Sequence, residues 1–234
     1  MPLSLNTRGV GRVTVVQCCG RIVAGQETES LRVHITGMMR ERKDFVLHLG
    51  EVGFIDSSGL GTMVRLLTST RQSRGDLKLC NVPEAIHKVL RLTNLNRLFE
   101  THESEESAIS AFYQRKAAAE PSAALGPPVL CVDQNGDVLA YLRELLRRGG
   151  YDVHTSSSVR DALILLRVTR PKLLLVGPGL TTGPANQQAF DAARTNVPVI
   201  ELGNEFSTLE ASEAAVRLLE QIQTILGPQS GQTS

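Results

Sequence analysis

Short apolar runs alternate with segments of helical periodicity in the first half of the chain. Residues 13–18, 45–49 and 77–80 are apolar and partly alternating, which is typical of strands. Apolar residues elsewhere recur every three or four positions, which predicts helices. The helical stripes are Leu31, Ile35 and Met38/Met39; Leu60, Met63, Val64 and Leu67; Ile86, Val89 and Leu90; and Ala108, Ile109 and Phe112. Strands that alternate with helices predict an α/β domain.

The second half of the chain repeats strand and helix more regularly. Its strands are almost continuously apolar, which is typical of a parallel sheet covered on both faces. The Gly149-Gly150 pair predicts the end of the first helix, and Pro171 predicts that the second helix ends before it. The predicted strands are residues 129–132, 151–155, 173–176 and 197–202, and the predicted helices are residues 138–146, 159–168, 189–194 and 209–226.

A change of composition separates the two halves. The segment K-A-A-A-E-P-S-A-A-L-G-P-P at 116–128 lacks periodic apolar residues and is rich in Ala and Pro, as linkers are, although its first alanines could extend the preceding helix. We therefore predict a first domain over residues 1–115, a linker over 116–127, a second domain over 128–228 and a flexible tail over 229–234. A chain of 234 residues agrees with two domains, since one domain takes roughly 150 residues.

Composition narrows the classes of function. The chain has 25 basic and 24 acidic residues, so it lacks the basic excess of a nucleic-acid binder. Aromatic residues make up 4% and Trp is absent, which leaves few platforms for stacking bases or sugars. No signal peptide or membrane span is visible, so we expect a cytoplasmic protein without a membrane partner. The cysteines form no C-x-x-C pair, and we expect no metal, no cofactor and small buried thiols at Cys18, Cys19, Cys80 and Cys131.

The most informative segment leads from a strand into the helix that contains Leu60. Asp56, Ser57 and Ser58 are all good N-cap residues, so at least one of them should accept a hydrogen bond from the first helical turn. Gly59 and Gly61 remove side chains where the helix passes close to a neighbour, either the sheet or another protein. A well-capped helix alone would explain part of this pattern. Two adjacent hydroxyls exceed what a cap needs, and they also offer an accessible group for modification.

This motif carries a resemblance to a known family. The residues D-S-S-G-L-G at 56–61, with F-V-L-H-L before them and L-K-L-C-N-V-P after them, resemble the STAS domain of bacterial anti-sigma factor antagonists. The resemblance implies a small mixed β-sheet flanked by helices and a partner that is an anti-sigma factor serine kinase. It also implies phosphorylation of the second serine, Ser58, with Ser57 as the fallback. The partner-binding residues that it implies are Asp56, Ser57, Gly59, Leu60 and Gly61.

The chain departs from the family pattern at one position. Relatives usually carry G-x-[LI]-D after the first strands, whereas this chain has Val23 at the acidic position of Gly20-Arg-Ile-Val. This segment often borders the partner surface in the family, so the departure bears on partner identity and affinity.

The second domain resembles a two-component receiver over about residues 128–226. Its V-L-C-V-D-Q-N segment retains only Asp133 of the acidic pair, with Gln134 beside it. The phosphoacceptor position is Gly177 and the hydroxyl position is Gly203, and one carboxylate is a poor Mg²⁺ site. The resemblance therefore implies a flavodoxin-like pseudo-receiver with a parallel sheet, whose fifth strand and preceding helix are missing or merged. We expect it to serve interaction or homodimer formation, although core packing is the favoured interpretation of the apolar face on its last helix.

Together these features predict a protein that is not an enzyme. We found no third glycine of a dinucleotide fingerprint, no Walker-type loop and no G-x-S-x-G elbow, and the five histidines are scattered. The leading hypothesis is an anti-sigma factor antagonist of a partner-switching pathway, which binds its kinase when unphosphorylated and is released on phosphorylation of Ser58. The alternative is a non-catalytic scaffold or oligomerisation protein of a bacterial signalling complex.

Overall fold

A computed structural model of the chain describes residues 1–119, 126–178, 184–193, 196–203 and 211–227. Contacts divide the chain into two compact units, Met1–Arg115 and Lys116–Ser234, which we call the N-terminal unit and the C-terminal unit. The linker predicted over residues 116–127 begins later in the structure, because residues 116–119 continue the helix that starts at Glu105. The rest of that linker up to residue 125, and the predicted tail, lie outside the described residues.

The N-terminal unit contains a five-stranded mixed sheet in the order β1-β2-β3-β4-β5. The first two strands are antiparallel and the other pairs are parallel. A short 3-10 helix, Leu95–Arg97, precedes the last strand. The strands are β1 Ser4–Val10, β2 Val13–Ile22, β3 Asp44–Ile55, β4 Asp76–Cys80 and β5 Thr101–His102, and the helices are α1 Gln26–Met38, α2 Ser57–Gln72, α3 Glu84–Leu92 and α4 Glu105–Ala119.

The side chains of the central strands point alternately to the two faces of the sheet, and helices cover both faces. Leu77 and Leu79 of β4 pack in a core with apolar residues of α1, α2 and α3. Lys78 lies between them and faces the other way, with its Nζ 5.0 Å from the centre of the Phe112 ring in α4. Lys78 is buried and forms an ion pair with the exposed Glu100. One face of the sheet is therefore covered by three helices and the opposite face by α4.

Two strands of this sheet were not predicted. β1 reads S-L-N-T-R-G-V, which has too few apolar residues to signal a strand, and β5 has only two residues. β1 forms because a tight turn at Gly11, with φ of 59°, folds it back on β2 from Ser4↔Cys19 to Val10↔Val13. The hydrogen bonds to β2 thus stabilise a strand that the local sequence pattern does not predict.

The C-terminal unit contains a four-stranded parallel sheet in the order β7-β6-β8-β9. This arrangement is consistent with a flavodoxin-like domain, and no fifth strand joins this sheet within the described residues. The helix predicted at 189–194 begins earlier than expected, at Pro184. The strands are β6 Pro128–Val132, β7 Asp152–Ser156, β8 Leu173–Val176 and β9 Val199–Glu201, and the helices are α5 Gly136–Arg148, α6 Val159–Thr169, α7 Pro184–Ala193 and α8 Ala211–Leu226.

The four cysteines are not joined in disulfides, and three of them are buried as predicted. Burial raises the pKa of Cys18, Cys80 and Cys131 to about 12 in each case. Their thiols therefore stay protonated at neutral pH and serve as small apolar core groups. Cys19 is only half-buried.

Candidate functional site

The predicted serine motif lies where two strands extend beyond the rest of their sheet. β3 pairs with β4 only as far as His48↔Cys80. Beyond that point β3 continues beside β2 alone, up to Ile22↔Ile55. Helix α2 begins two residues later, at Ser57. The motif thus follows the part of β3 that still pairs with β2 but no longer pairs with β4.

Asp56 is the residue that caps α2. Its Oδ1 accepts a hydrogen bond from the Gly59 N–H at 2.8 Å, and its Oδ2 accepts one from the Ala24 N–H at 2.8 Å. These backbone bonds, that from Ala24 first and then that from Gly59, hold the pKa of Asp56 below its ordinary value. The carboxylate therefore ties the start of α2 to the turn between β2 and α1.

Ser57 and Ser58 are the first two residues of α2, and both are exposed. Within the described residues, neither hydroxyl forms a hydrogen bond, because Asp56 already provides the cap. The two serines thus contribute hydroxyls that the helix does not need for its own stability. An exposed and unengaged hydroxyl at a helix N-terminus can accept a phosphoryl group, and the helix dipole favours the resulting anion.

The two glycines of the motif have different roles. A Cβ atom on Gly59 would lie closer than 3.0 Å to the carbonyl oxygen of Ile22 and 2.9 Å from Cγ2 of Ile55. Gly59 therefore allows α2 to start against the end of β2. A Cβ atom on Gly61 would meet no atom of the described chain within 4 Å. The fold itself does not require Gly61, so an absent side chain there leaves room for another molecule.

Leu60 requires a correction to the predicted partner-binding set. Its side chain is 7% exposed and packs in the core of the N-terminal unit, with residues of α1 and β3 among the members of that core. Burial follows from helical periodicity, since Leu60 lies on the same face of α2 as Met63 and Leu67. The surface around the serines is formed by other residues.

Val23 and Phe54 lie at the ends of the two strands, β2 and β3, that lead to the serine motif. Val23 is half-buried and directly precedes Ala24, whose N–H bonds to Asp56, so the departure from the family pattern lies beside the serine helix. Phe54 is 54% exposed at the end of β3, and it was not singled out from the sequence. The signal that could have found it is the spacing of Gly50 and Gly53, which interrupts the alternation of this strand.

We expect Asp56→Asn to lower thermal stability near neutral pH and to lose this effect in acid. An Asn side chain offers one acceptor oxygen, so it cannot hold both the Ala24 and Gly59 N–H groups. Because the pKa of Asp56 is lowered in the folded state, its carboxylate stabilises above its unfolded pKa, and this contribution disappears as pH falls through the folded pKa. The difference in Tm between wild type and variant should therefore shrink below about pH 4.

Glu103→Gln is the matched control for this pH series. Glu103 is exposed and has no hydrogen bond or ion pair within the described residues, so its substitution should leave Tm unchanged at each pH. A deficit of Asp56→Asn that stays constant down to about pH 2 would show that the lost charge is not the cause.

The C-terminal unit brings Asp133 and Gly177 together, while Gln134 is exposed and Gly203 half-buried. Asp133 is 6% exposed, and its Oδ1 accepts a hydrogen bond from the Asn135 N–H at 2.7 Å. A Cβ atom on Gly177 would lie closer than 3.0 Å to Oδ2 of Asp133. The carboxylate of Asp133 therefore occupies the space that a side chain at position 177 would take. Among the described residues, no cluster of His, Cys, Asp or Glu side chains could hold a metal ion.

Helix α8 presents apolar residues on two faces. Leu218 and Ile222 pack in the core of the C-terminal unit, as core packing predicts. Val216 and Ile225 are exposed on the same helix. Formation of a homodimer through the C-terminal unit stays a prediction.

Comparison with known families finds a match to the N-terminal unit. Residues 4–108 match the model described as the STAS domain. The matched residues lie within the N-terminal unit, which is thus similar to a STAS domain. The D-S-S-G-L-G motif and its two exposed serines lie inside the matched residues.

Two curated proteins are similar to this chain in sequence. The candidate anti-sigma factor antagonist BtrV of Bordetella bronchiseptica is 25% identical over 99 residues, which cover 42% of this chain and 85% of BtrV. The anti-sigma F factor antagonist of Paenibacillus polymyxa is 28% identical over 71 residues, which cover 30% of this chain and 61% of that protein.

Two solved structures of anti-sigma factor antagonists match part of this chain. The unphosphorylated form of the anti-sigma factor antagonist SpoIIAA gives a TM-score of 0.39 at 19% identity, and the match covers 47% of this chain and 97% of SpoIIAA. An anti-sigma factor antagonist from Mycobacterium paratuberculosis gives a TM-score of 0.42 at 21% identity, covering 47% and 92% of the two chains. Separately, no helix in the described ranges is long and apolar enough to span a membrane.

Proposed function

We propose that this protein is an anti-sigma factor antagonist that binds an anti-sigma factor serine kinase and is released when Ser58 is phosphorylated. The observation that carries the proposal is the pair of exposed serine hydroxyls at the start of α2, within a STAS domain whose curated relatives are named as antagonists. Asp56, Ser57 and Gly61 complete the surface that we assign to the partner. Ser57 remains the fallback acceptor.

The charge of a phosphate gives the switch its physical basis. A phosphoserine adds about 1.5 to 2 negative charges. At the second residue of α2 these charges lie at the positive end of the helix dipole, so the fold tolerates them. In a complex, the same dianion would be desolvated beside the carboxylate of Asp56. That cost falls on binding and not on folding, so phosphorylation separates the partners and leaves the domain intact.

The C-terminal unit and the remaining properties complete the proposal. We assign this unit as a degenerate receiver that does not accept phosphate, which the position of the Asp133 carboxylate against Gly177 supports. The protein carries out no catalysis of its own in this scheme and needs no cofactor. It acts in the bacterial cytoplasm, where anti-sigma factors and sigma factors meet.

The direct test is phosphorylation of the full chain by purified anti-sigma factor serine kinases of its own organism. With ATP and Mg²⁺, a cognate kinase should add one phosphate, and peptide mapping by mass spectrometry should place it on Ser58. Ser58→Ala should abolish the modification and Ser57→Ala should retain it. If every kinase that is active on an antagonist of its own leaves both serines unmodified, the proposed function is wrong.

A further inference from the structure

The end of β3 contains two register shifts against β2. The pair Gln17↔His48 is followed by Cys19↔Glu51, so β3 advances three residues while β2 advances two. The pair Gly20↔Val52 is followed by Arg21↔Phe54, and β3 again gains one residue. Each shift inserts an extra residue into β3, as a β-bulge does, and Gly50 and Gly53 lie at the two insertions.

These insertions decide which way Phe54 points. Val52 packs in the core, and strict alternation would place the residue two positions later, Phe54, on the same face. The second insertion shifts the alternation by one, so Ile55 enters the core and Phe54 is left 54% exposed. A bulge beside a functional segment commonly re-aims a side chain in this way. The exposure of this large apolar side chain is therefore built into the strand.

Phe54 lies at the end of β3 that leads to the two serines. It lies two residues before the Asp56 cap and four before Ser58. Its partner on β2 is Arg21, which is exposed and makes no ion pair or hydrogen bond within the described residues. An aromatic ring and an unpaired cation thus lie side by side at the end of the sheet where the helix with the modifiable hydroxyls begins.

We propose that Phe54 is the apolar anchor of the partner surface, that it inserts into an apolar pocket of the anti-sigma factor kinase, and that a carboxylate of the kinase beside this pocket pairs with Arg21. This inference rests on the proposed function. Residues that dominate binding energy are enriched in aromatic and arginine side chains near the centre of an interface, where water is excluded. Phe54 and Arg21 provide both types side by side, and the positive charge of Arg21 specifies an acidic complement.

The anchor also links binding to phosphorylation. A pocket that closes over Phe54 must exclude water from the neighbouring start of α2, where Ser58 lies. A phosphate on Ser58 is strongly hydrated, so removing its water is costly and opposes closure of the pocket. The apolar anchor thereby makes the interface sensitive to one charged group at its edge.

The test measures the affinity of the full chain for the purified anti-sigma factor kinases of its organism, by isothermal titration calorimetry. Phe54→Ala should weaken binding of the cognate kinase about 30-fold or more, as a truncated hot spot does. Phe54→Leu should restore most of the affinity. Arg21→Glu should weaken binding and reverse its salt dependence, because it places a negative charge against the acidic complement.

Leu92→Ala is the matched control, since Leu92 is 85% exposed on α3 and lies outside this surface. It should leave the affinity unchanged, and circular dichroism should show the native fold for every variant. Equal affinities of Phe54→Ala and wild type, while Ser58→Asp fails to bind, would overturn the anchor and leave the proposed function standing. If no kinase binds the wild type, the proposed function fails and the anchor with it. If Phe54→Ala instead abolishes self-association and binds the kinase normally, Phe54 serves a second copy of the chain.

Discussion

Replacing Gly59 by alanine is expected to lower the free energy of unfolding of the N-terminal unit by about 2 kcal/mol. The added Cβ would lie closer than 3.0 Å to the Ile22 carbonyl oxygen, and neither this backbone nor Ile55 can move without opening the junction of α2 with β2. Overpacking of this kind costs up to about 3 kcal/mol, and the better helix propensity of alanine offsets roughly 1 kcal/mol of it.

Gly61→Ala is the matched control for this substitution. It adds the same methyl group to the same helix two residues later, where a Cβ meets nothing within 4 Å in the described chain. It should therefore leave the N-terminal unit as stable as wild type or more stable, by up to about 1 kcal/mol. Urea unfolding followed by circular dichroism measures both variants. Equal stabilities of the two variants would show that α2 does not start against β2 as described.

Ser58→Asp is expected to weaken binding of the cognate anti-sigma factor kinase at least about 100-fold while leaving the fold intact. The carboxylate introduces a charge at the second residue of α2, where an interface would have to desolvate it beside Asp56. Folding should not suffer, because negative charge near a helix N-terminus is stabilising. Calorimetric titration of the kinase gives the affinity, and thermal unfolding gives the stability.

Ser58→Asn separates charge from size in this experiment. Asparagine has nearly the shape of aspartate without its charge, so it should retain most of the affinity that Ser58→Asp loses. If the two variants bind equally weakly, the interface excludes the larger side chain for steric reasons. The electrostatic account of the switch would then be wrong.

Much of the fold could be predicted because its signals are local. The stripe of Leu60, Met63 and Leu67 identifies α2, and the apolar runs identify β2, β3 and β4, since periodicity reflects which face of an element is buried. Asp56 was one of three candidate caps, and the structure selects it by placing Ala24 opposite its second oxygen. The strand β1 was missed because its few apolar residues give no local signal, and its formation depends on pairing with β2.

The candidate site likewise contains residues that the sequence predicted and residues that it did not. The sequence located the serines and predicted that their hydroxyls are accessible, which the exposure of Ser57 and Ser58 confirms. It also assigned Leu60 to the partner surface, which was wrong because helical periodicity turns this side chain into the core. It missed Phe54, because regular alternation assigns this residue to the buried face. Register between strands is not a property of either strand alone, so Gly50 and Gly53 mark where the alternation can break but do not by themselves specify the insertions in β3.

By itself, then, the amino-acid sequence determined the order of the helices and of the apolar strands, the division into two α/β halves and the chemistry of the D-S-S-G-L-G segment. These features follow from residues close together in the chain, whose burial and capping preferences act over a few positions. Only the tertiary structure decided which glycine the fold requires, how Asp133 fills the space beside Gly177, and that Phe54 faces solvent at the end of β3. Each of these depends on atoms brought together from distant parts of the chain, where close packing leaves room for only one arrangement.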